Sequence, residues 1–307
     1  MAMSSDGTKM VIGAPFFDNN YKDVGYVRVF EKDSMNEWIQ VFEFIGEMED
    51  VKIGHTVAMN SDGTIIAFGG KGEESVRIYQ YNISNNDWIQ LGEDFDIDTY
   101  PGDGYPDVAM NSDGTRIIIG NQKYHSHSKG RVRVFEYDTS NNSWSQLDDD
   151  FIGGDGDHLG SSVAMNSDGT IIAFGVLSLR RIRVYQYSNS SWSQLGSDFI
   201  GDTDNPSLVG SSVAMNNNGT RICFGDKLYN NEKGKVFVYD YDSTWEQVGT
   251  NSIVGVDNGT YLGNVVTMNG TGTRIGSGAY NHDSEYEPIK LNGDIYFHDF
   301  NEDTNVW

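Results

Sequence analysis

The chain has 307 residues, with 37% hydrophobic side chains, 36 glycines and 5 prolines, a composition that indicates a folded, β-rich protein. Its 45 acidic and 21 basic residues give a formal net charge of −24, which argues against a nucleic acid or an anionic membrane as partner because phosphate binding needs a basic face. The lone Cys223 excludes an internal disulfide, and no apolar run approaches the roughly 18 residues of a membrane helix.

A segment of the form Met-Asn-Ser-Asp-Gly-Thr recurs along the chain about every fifty residues. Its six copies begin at Met3, Met59, Met110, Met165, Met215 and Met268. The six tryptophans recur with the same period, at Trp38, Trp88, Trp144, Trp192, Trp245 and Trp307. Six repeats of about fifty residues account for the whole chain, so residues 1–307 are predicted to form a single domain.

Each repeat contains four predicted strands, which are clearest between residues 160 and 201. A short strand of small residues (GSSVAMN) is followed by Ser167-Asp168-Gly169, a tight hairpin turn in which Asp can bond its own backbone and Gly tolerates positive φ. The next run, TIIAFG, is continuously apolar, as in a strand buried on both faces. Two further strands, RIRVYQY and SWSQLG, complete the repeat.

These four-stranded units predict an all-β fold, because no segment carries a sustained 3.6-residue apolar period. Units of this length are typical of a β-propeller, and a β-solenoid is the main alternative. We therefore predict six four-stranded blades. The chain starts inside a first strand and stops at Trp307, where a fourth strand would begin. The last blade is accordingly expected to be incomplete, or the chain to be cut from a longer protein.

The units resemble FG-GAP repeats, the repeats of integrin-α-type β-propellers. The first unit carries the resemblance most clearly, with VIGAP at residues 11–15 followed by GYVRVF at residues 25–30. The resemblance implies adhesion and ligand binding on one face, with calcium in Asp-rich hairpin loops. That calcium loop is absent, because a Ser-Asp-Gly turn offers one carboxylate where calcium takes roughly six to eight oxygens. No calcium is assigned to these turns.

One face of the predicted propeller carries irregular loops, whereas the opposite face carries only uniform turns. Binding sites tend to lie on such loops, although unconstrained loops also drift without function. An exposed Tyr beside Asp or Asn can stack on a sugar or anchor a protein ligand. The predicted ligand-binding residues are Tyr124, Tyr229, Tyr280 and Tyr286, with His55 and His158 at the starts of first strands.

Acidic loops precede the first strands on this same variable face. Any tight cation site is expected to use their carboxylates, with Asp155, Asp157, Asp202 and Asp204 as the candidate ligands. No cofactor is otherwise predicted. The family resemblance suggests calcium as a cofactor, but this sequence lacks the calcium-binding loop that is usual in FG-GAP repeats.

No catalytic signature is present: the chain lacks a Gly-x-Ser-x-Gly elbow, a P-loop, a dinucleotide fingerprint and zinc-ligand spacing. The sequence therefore favours a non-enzymatic recognition or adhesion module that binds a glycan or protein ligand. It carries no signal peptide, yet surface display, secretion or membership of a larger assembly is favoured. The alternatives are a propeller-type glycan-processing hydrolase, since carboxylates abound on the variable face, and an architectural shell or matrix protein.

Overall fold

The chain folds as an all-β, six-bladed propeller of antiparallel sheets, which confirms the predicted fold class. The computed structural model describes residues 1–71, 76–97, 104–125, 127–202, 205–250, 252–281 and 292–307. Within these ranges the helical structure consists of two short turns, Leu177–Leu179 and Tyr229–Glu232. None of the described helices is long and apolar enough to cross a membrane.

The first of two compact units, Met1–Gly160, holds blades 1 to 3. Blade 1 consists of β1 (Ala2–Met3), β2 (Lys9–Ala14), β3 (Tyr26–Lys32) and β4 (Trp38–Ile45). Blade 2 consists of β5 (Thr56–Met59), β6 (Ile65–Gly69), β7 (Val76–Asn82) and β8 (Asp87–Gln90). Blade 3 consists of β9 (Pro106–Met110), β10 (Arg116–Asn121), β11 (Arg131–Asp138), β12 (Ser143–Gln146) and β13 (Phe151–Ile152).

The second unit, Ser161–Trp307, holds blades 4 to 6, and the first strand of blade 4 begins just before it. Blade 4 consists of β14 (Leu159–Met165), β15 (Ile171–Val176), β16 (Arg181–Ser188), β17 (Ser191–Gln194) and β18 (Phe199–Ile200). Blade 5 consists of β19 (Val213–Met215), β20 (Arg221–Asp226), β21 (Lys235–Tyr241), β22 (Trp245–Gln247) and β23 (Ile253–Val254). Blade 6 consists of β24 (Val265–Met268), β25 (Arg274–Asn281) and β26 (Asn292–Asp299). The single-domain assignment of residues 1–307 stays a prediction.

The repeated turn between the first two strands of a blade is closed by its own polar side chains. In blade 4, Asp168 Oδ1 accepts hydrogen bonds from the Thr170 amide at 3.0 Å and from the Thr170 hydroxyl at 2.5 Å. Asn166 Oδ1 accepts a third, from the Ile171 amide at 2.8 Å. Gly169 has φ +71°, which explains the glycine at this place. The Asp carboxylate is thus used to build the hairpin.

The tryptophans join successive blades within each unit. In the second unit, Trp245 Nε1 donates to the Leu195 carbonyl of the preceding blade at 2.8 Å, and its ring packs 5.5 Å from that of Phe199. In the first unit, Trp144 Nε1 donates to the Leu91 carbonyl at 2.9 Å. At these two positions a large apolar ring with one donor satisfies both the packing and the carbonyl of the preceding blade, which explains the tryptophan there.

Candidate functional site

A cavity of about 810 Å³ opens among the loops of the second unit. It lies at the end of the blades opposite the Asp-Gly turns, between the loops that follow β18, β20 and β23. Its lining residues are Asp202, Asn205, Pro206, Leu228, Tyr229, Asn230, Asn231, Glu232 and Asn258. The volume is within the range of small-molecule sites, about 300–1,000 Å³. Tyr229 and Asp202, proposed from the sequence for separate roles, line this same cavity.

A left-handed turn presents the polar wall of the cavity. Asn230, Asn231 and Glu232 have φ angles of 50°, 58° and 64°, in the region that side chains other than glycine rarely adopt. The Tyr261 amide holds the turn by donating to the Glu232 carbonyl at 2.8 Å. Each such residue costs roughly 1–3 kcal/mol, and strain of this kind is concentrated at functional sites. The left-handed backbone conformation that brings Glu232 to the cavity wall therefore costs conformational free energy.

Asp226 connects two of the loops from beneath. Its side chain is buried at the end of β20, and its Oδ1 accepts hydrogen bonds from the Leu208 amide at 2.9 Å and the Leu228 amide at 3.3 Å. One carboxylate thus fixes the distance between two segments: the one around Leu208, before β19, and the one around Leu228, after β20. The sequence signal for it is an acidic residue directly after the glycine that ends an apolar strand.

The carboxylate of Asp202 is held by amide donors at the rim of the cavity. Asn205 donates its backbone amide to Oδ1 at 3.2 Å and its side-chain amide to Oδ2 at 2.7 Å. The Arg180 guanidinium anchors the same loop from outside, through the carbonyls of Asp202 at 2.7 Å and Asn205 at 3.1 Å. These contacts orient Asp202 as a hydrogen-bond acceptor.

Tyr229 forms the aromatic part of the wall. Its half-buried ring lies 5.1 Å from Lys235 Nζ, which also lies 4.4 Å from the ring of Phe237. Burial lowers the pKa of Lys235. The cation between two rings keeps the Tyr229 ring in place beside the carboxylates. The cavity thus combines an aromatic surface with two carboxylates and four amides, a set suited to a neutral, hydroxylated molecule.

His55, another candidate from the sequence, lies in the first unit. Its ring stacks on that of Tyr105, with centroids 3.9 Å apart and planes 8° from parallel. Lost hydration at the stacked ring and the charge of Lys52 lower the pKa of His55. Beside it, Asp50 pairs with Lys52 at 2.5 Å and with Lys71, and these hydrogen bonds lower the pKa of Asp50 to about 2.

The Asp50 pairing predicts a stability that depends on pH. Because the folded pKa of about 2 lies below the ordinary value of 3.8, the stabilisation is complete above pH 3.8 and is lost as the pH falls through about 2. Urea denaturation of wild type and Asp50→Asn between these pH values should show a smaller acid-induced loss in the variant. Parallel pH curves for the two proteins would contradict this prediction.

The remaining first-unit candidates surround the loop before β14. The Tyr124 ring lies 4.1 Å from the Arg131 guanidinium carbon. Burial and the charge of Lys123 lower the pKa of His158. Asp155 pairs with Lys129 at 3.3 Å, and Asp157 Oδ2 accepts a hydrogen bond from the Gly154 amide at 2.7 Å. Asp157 thus has a partner within its own loop, whereas the partner of Asp155 lies in the loop between β10 and β11.

In the part of the chain that the structure describes, no three His, Cys, Asp or Glu side chains are grouped as a metal site. Asp204 and Tyr286, two further candidates, lie outside the described residues. Tyr280 lies in β25, where its backbone pairs with Gly293, and its side chain is outside the described part. The cation ligands inferred from the sequence therefore stay a prediction.

Comparison with known proteins places the fold among propellers that include enzymes. No protein-family model matches the chain, and neither does any curated protein. Among solved structures, a candidate 6-phosphogluconolactonase from Bacteroides uniformis is 13% identical, with a TM-score of 0.63 over 99% of this chain and 81% of that one. The periplasmic gluconolactonase of Pseudomonas aeruginosa is 12% identical, with a TM-score of 0.61 over 96% of this chain and 86% of that one.

These similarities correct two expectations drawn from the sequence. The sequence favours a non-enzymatic recognition or adhesion module, whereas three of the similar solved structures carry the names of lactonases. The non-enzymatic interpretation is therefore wrong, and the hydrolase alternative is the better supported of the two. At 12–13% identity the similarity shows the propeller fold, and it does not single out FG-GAP propellers.

Proposed function

We propose that this chain is a propeller-type hydrolase that opens the lactone of a sugar acid in the cavity of its second unit. The observation that carries the proposal is one small-molecule-sized cavity lined by two carboxylates, Asp202 and Glu232, together with asparagine amides and Tyr229. The fold shared with lactonases supports the same reaction class. The strained placement of Glu232 is a second argument for function at this point.

Lactone hydrolysis needs a base, an acid and donors to a developing oxyanion. In the proposed reaction the Asp202 carboxylate, oriented by Asn205, takes a proton from water as the water oxygen bonds to the carbonyl carbon. The ring C–O bond then breaks, and the Glu232 carboxyl gives its proton to the leaving ring oxygen. The Asn258 and Asn230 side-chain amides are the donors available to the oxyanion. The product is a hydroxy acid.

The charges at the cavity favour a neutral lactone over a phosphorylated one. The described lining includes two carboxylates and no lysine or arginine, and the chain carries a net charge of −24. A phosphate would meet repulsion there, whereas hydroxyl groups find amide and carboxylate partners. We therefore expect the purified protein to hydrolyse δ-gluconolactone with a higher kcat/KM than its 6-phosphate. If neither substrate were hydrolysed faster than in the spontaneous reaction, the proposed activity would be excluded.

Tyr229 is expected to contribute to substrate binding rather than to the chemical step. Tyr229→Ala should raise KM about tenfold with kcat nearly unchanged, because the lost ring contact is worth roughly 1.4 kcal/mol in both ground and transition states. The matched control is Tyr21→Ala, an exposed tyrosine on a loop of blade 1. Initial rates over a range of lactone concentrations measure both constants. A change confined to kcat would contradict this role.

Two finer hypotheses accompany the proposal. The FG-GAP character of the repeats rests on the short motifs of residues 11–15 and 25–30, which overlap β2 and β3. The second hypothesis is that Asp202 binds a cation, since its carboxylate lines a polar cavity. Assays with added calcium and with a chelator would test whether the hydrolysis depends on such a cation.

A further inference from the structure

The third strands of blades 3, 4 and 5 all begin with a basic residue. These residues are Arg131, Arg181 and Lys235, and each pairs with the last residue of the short fifth strand of its blade. In blade 3, Arg131 Nη1 lies 3.6 Å from Asp150 Oδ2, and in blade 4, Arg181 Nη1 lies 3.0 Å from Asp198 Oδ2. The two arginines at this position thus have a carboxylate partner within their own blade.

Blade 5 has no carboxylate at the corresponding place. Asp198 directly precedes β18, whereas the residue directly before β23 is Ser252. Arg183, whose Nε also lies 3.2 Å from Asp198, is replaced in blade 5 by Phe237. Among the residues that the structure describes, the ammonium of Lys235 accordingly has neither a carboxylate nor a hydrogen-bond partner. Its position is paired with an acid in the preceding blades and not in its own.

Two aromatic rings surround Lys235 instead. Its side chain is half-buried, and Nζ lies 4.4 Å from the ring centroid of Phe237 and 5.1 Å from that of Tyr229. The ring faces attract an ammonium, but they replace only part of the water and carboxylate contacts that it would otherwise have. Burial therefore lowers the pKa of Lys235. A larger fraction of this amine is neutral than in an exposed lysine, and the neutral amine is the nucleophile.

Lys235 lies next to the cavity of the second unit. Tyr229, whose ring contacts its Nζ, is one of the residues that line the cavity. The lining segment from Leu228 to Glu232 leads directly into β21, and Lys235 is the first residue of that strand. A molecule held against the ring of Tyr229 therefore lies beside this amine.

We propose that Lys235 is a modification site that is acylated by lactones bound in the cavity. The inference goes beyond hydrolysis and rests on the proposed function only for the choice of the acyl donor. The Nζ lone pair bonds to the lactone carbonyl carbon, the ring C–O bond breaks, and a proton of the amine passes to the ring oxygen, which becomes a hydroxyl group. The whole lactone stays on the lysine as a hydroxy amide, so the step needs no co-reactant.

Competitive labelling with trace acetic anhydride, followed by peptide mass spectrometry, measures the reactivity of each lysine in the folded chain. The matched control is Lys233, which lies two residues away and donates its Nζ to the Val256 carbonyl at 3.2 Å. At mildly alkaline pH we expect Lys235 to be acetylated about tenfold faster than Lys233. After incubation with δ-gluconolactone, the lactone adduct should be found on Lys235 in a similar excess over Lys233.

Supplying the missing carboxylate is a sharper test. Ser252→Asp places an acid where Asp198 lies in blade 4, which favours the ammonium form, so acylation of Lys235 should fall about tenfold. Ser252→Asn has nearly the same size without the charge and should leave the rate at the wild-type value. Ser252 is exposed, so both variants are expected to fold as wild type does. The labelling of Lys233 is the internal reference in each sample.

Three results would overturn the proposal. Equal labelling of Lys235 and Lys233 by the anhydride would show that the amine is not activated. Anhydride labelling of Lys235 without a lactone adduct would show that no lactone in the cavity reaches it. Equal rates in Ser252→Asp and Ser252→Asn would show that the missing carboxylate does not explain the reactivity. Lactone hydrolysis is measured separately, so a chain that acylates Lys235 without hydrolysing lactone would contradict the proposed function alone.

Discussion

Replacing Asp202 by Asn is expected to lower kcat for lactone hydrolysis by about a thousandfold, while KM changes no more than a few-fold. The amide keeps the shape and the contact with Asn205 but cannot take a proton, and general acid–base catalysis contributes roughly 10²–10⁴-fold. Glu232→Gln should lower kcat by about a hundredfold, because the amide cannot give a proton to the leaving ring oxygen. Rates with δ-gluconolactone give both constants.

A carboxylate at the opposite end of the same blade is the control for these variants. Asp242 is exposed in the hairpin between β21 and β22, away from the cavity loops. Asp242→Asn should retain wild-type kcat and KM. If Asp202→Asn and Glu232→Gln also retained wild-type activity, the cavity would not be the site of the chemistry.

Replacing Gly225 by Ala is expected to lower the free energy of unfolding by about 3 kcal/mol or more. The added methyl would lie 1.8 Å from the Gly263 carbonyl oxygen and 2.6 Å from its carbon, so the backbones of blades 5 and 6 would have to separate. Urea denaturation followed by tryptophan fluorescence measures the change.

Gly278→Ala at the equivalent position of blade 6 is the matched control. Its nearest neighbour is the Val265 Cβ at 3.8 Å, which is ordinary contact, so we expect a change below about 1 kcal/mol. Equal losses in both variants would mean that the close approach of neighbouring blades does not explain the glycine.

The fold was predictable because its signals are local and repeated. The turn at Asp168 closes on residues within five positions of one another. Trp144, Trp245 and Trp307 each donate their indole N–H to a carbonyl of the preceding blade in the same way. Such signals reinforce one another across six repeats. The apolar motifs behind the adhesion prediction determine only how the strands pack. Because one fold serves many functions, they did not predict the function.

The candidate site was predictable only in part. The loops that contain Asp202 and Tyr229 were identified by their irregular length and composition. That these loops meet in one cavity was not predictable, because it depends on a hydrogen bond from the Leu208 amide to Asp226, 18 residues further along the chain. Glu232 gave no sequence signal of its own, since its position results from three successive left-handed residues rather than from a motif.

A crystal structure of the chain with a non-hydrolysable lactam analogue of gluconolactone would show where a lactone binds. We expect the sugar ring in the cavity of the second unit, against Tyr229, with its carbonyl and ring nitrogen within hydrogen-bonding distance of the groups around Asp202 and Glu232. A ligand bound instead beside His55 and Tyr105, with the cavity empty, would contradict it.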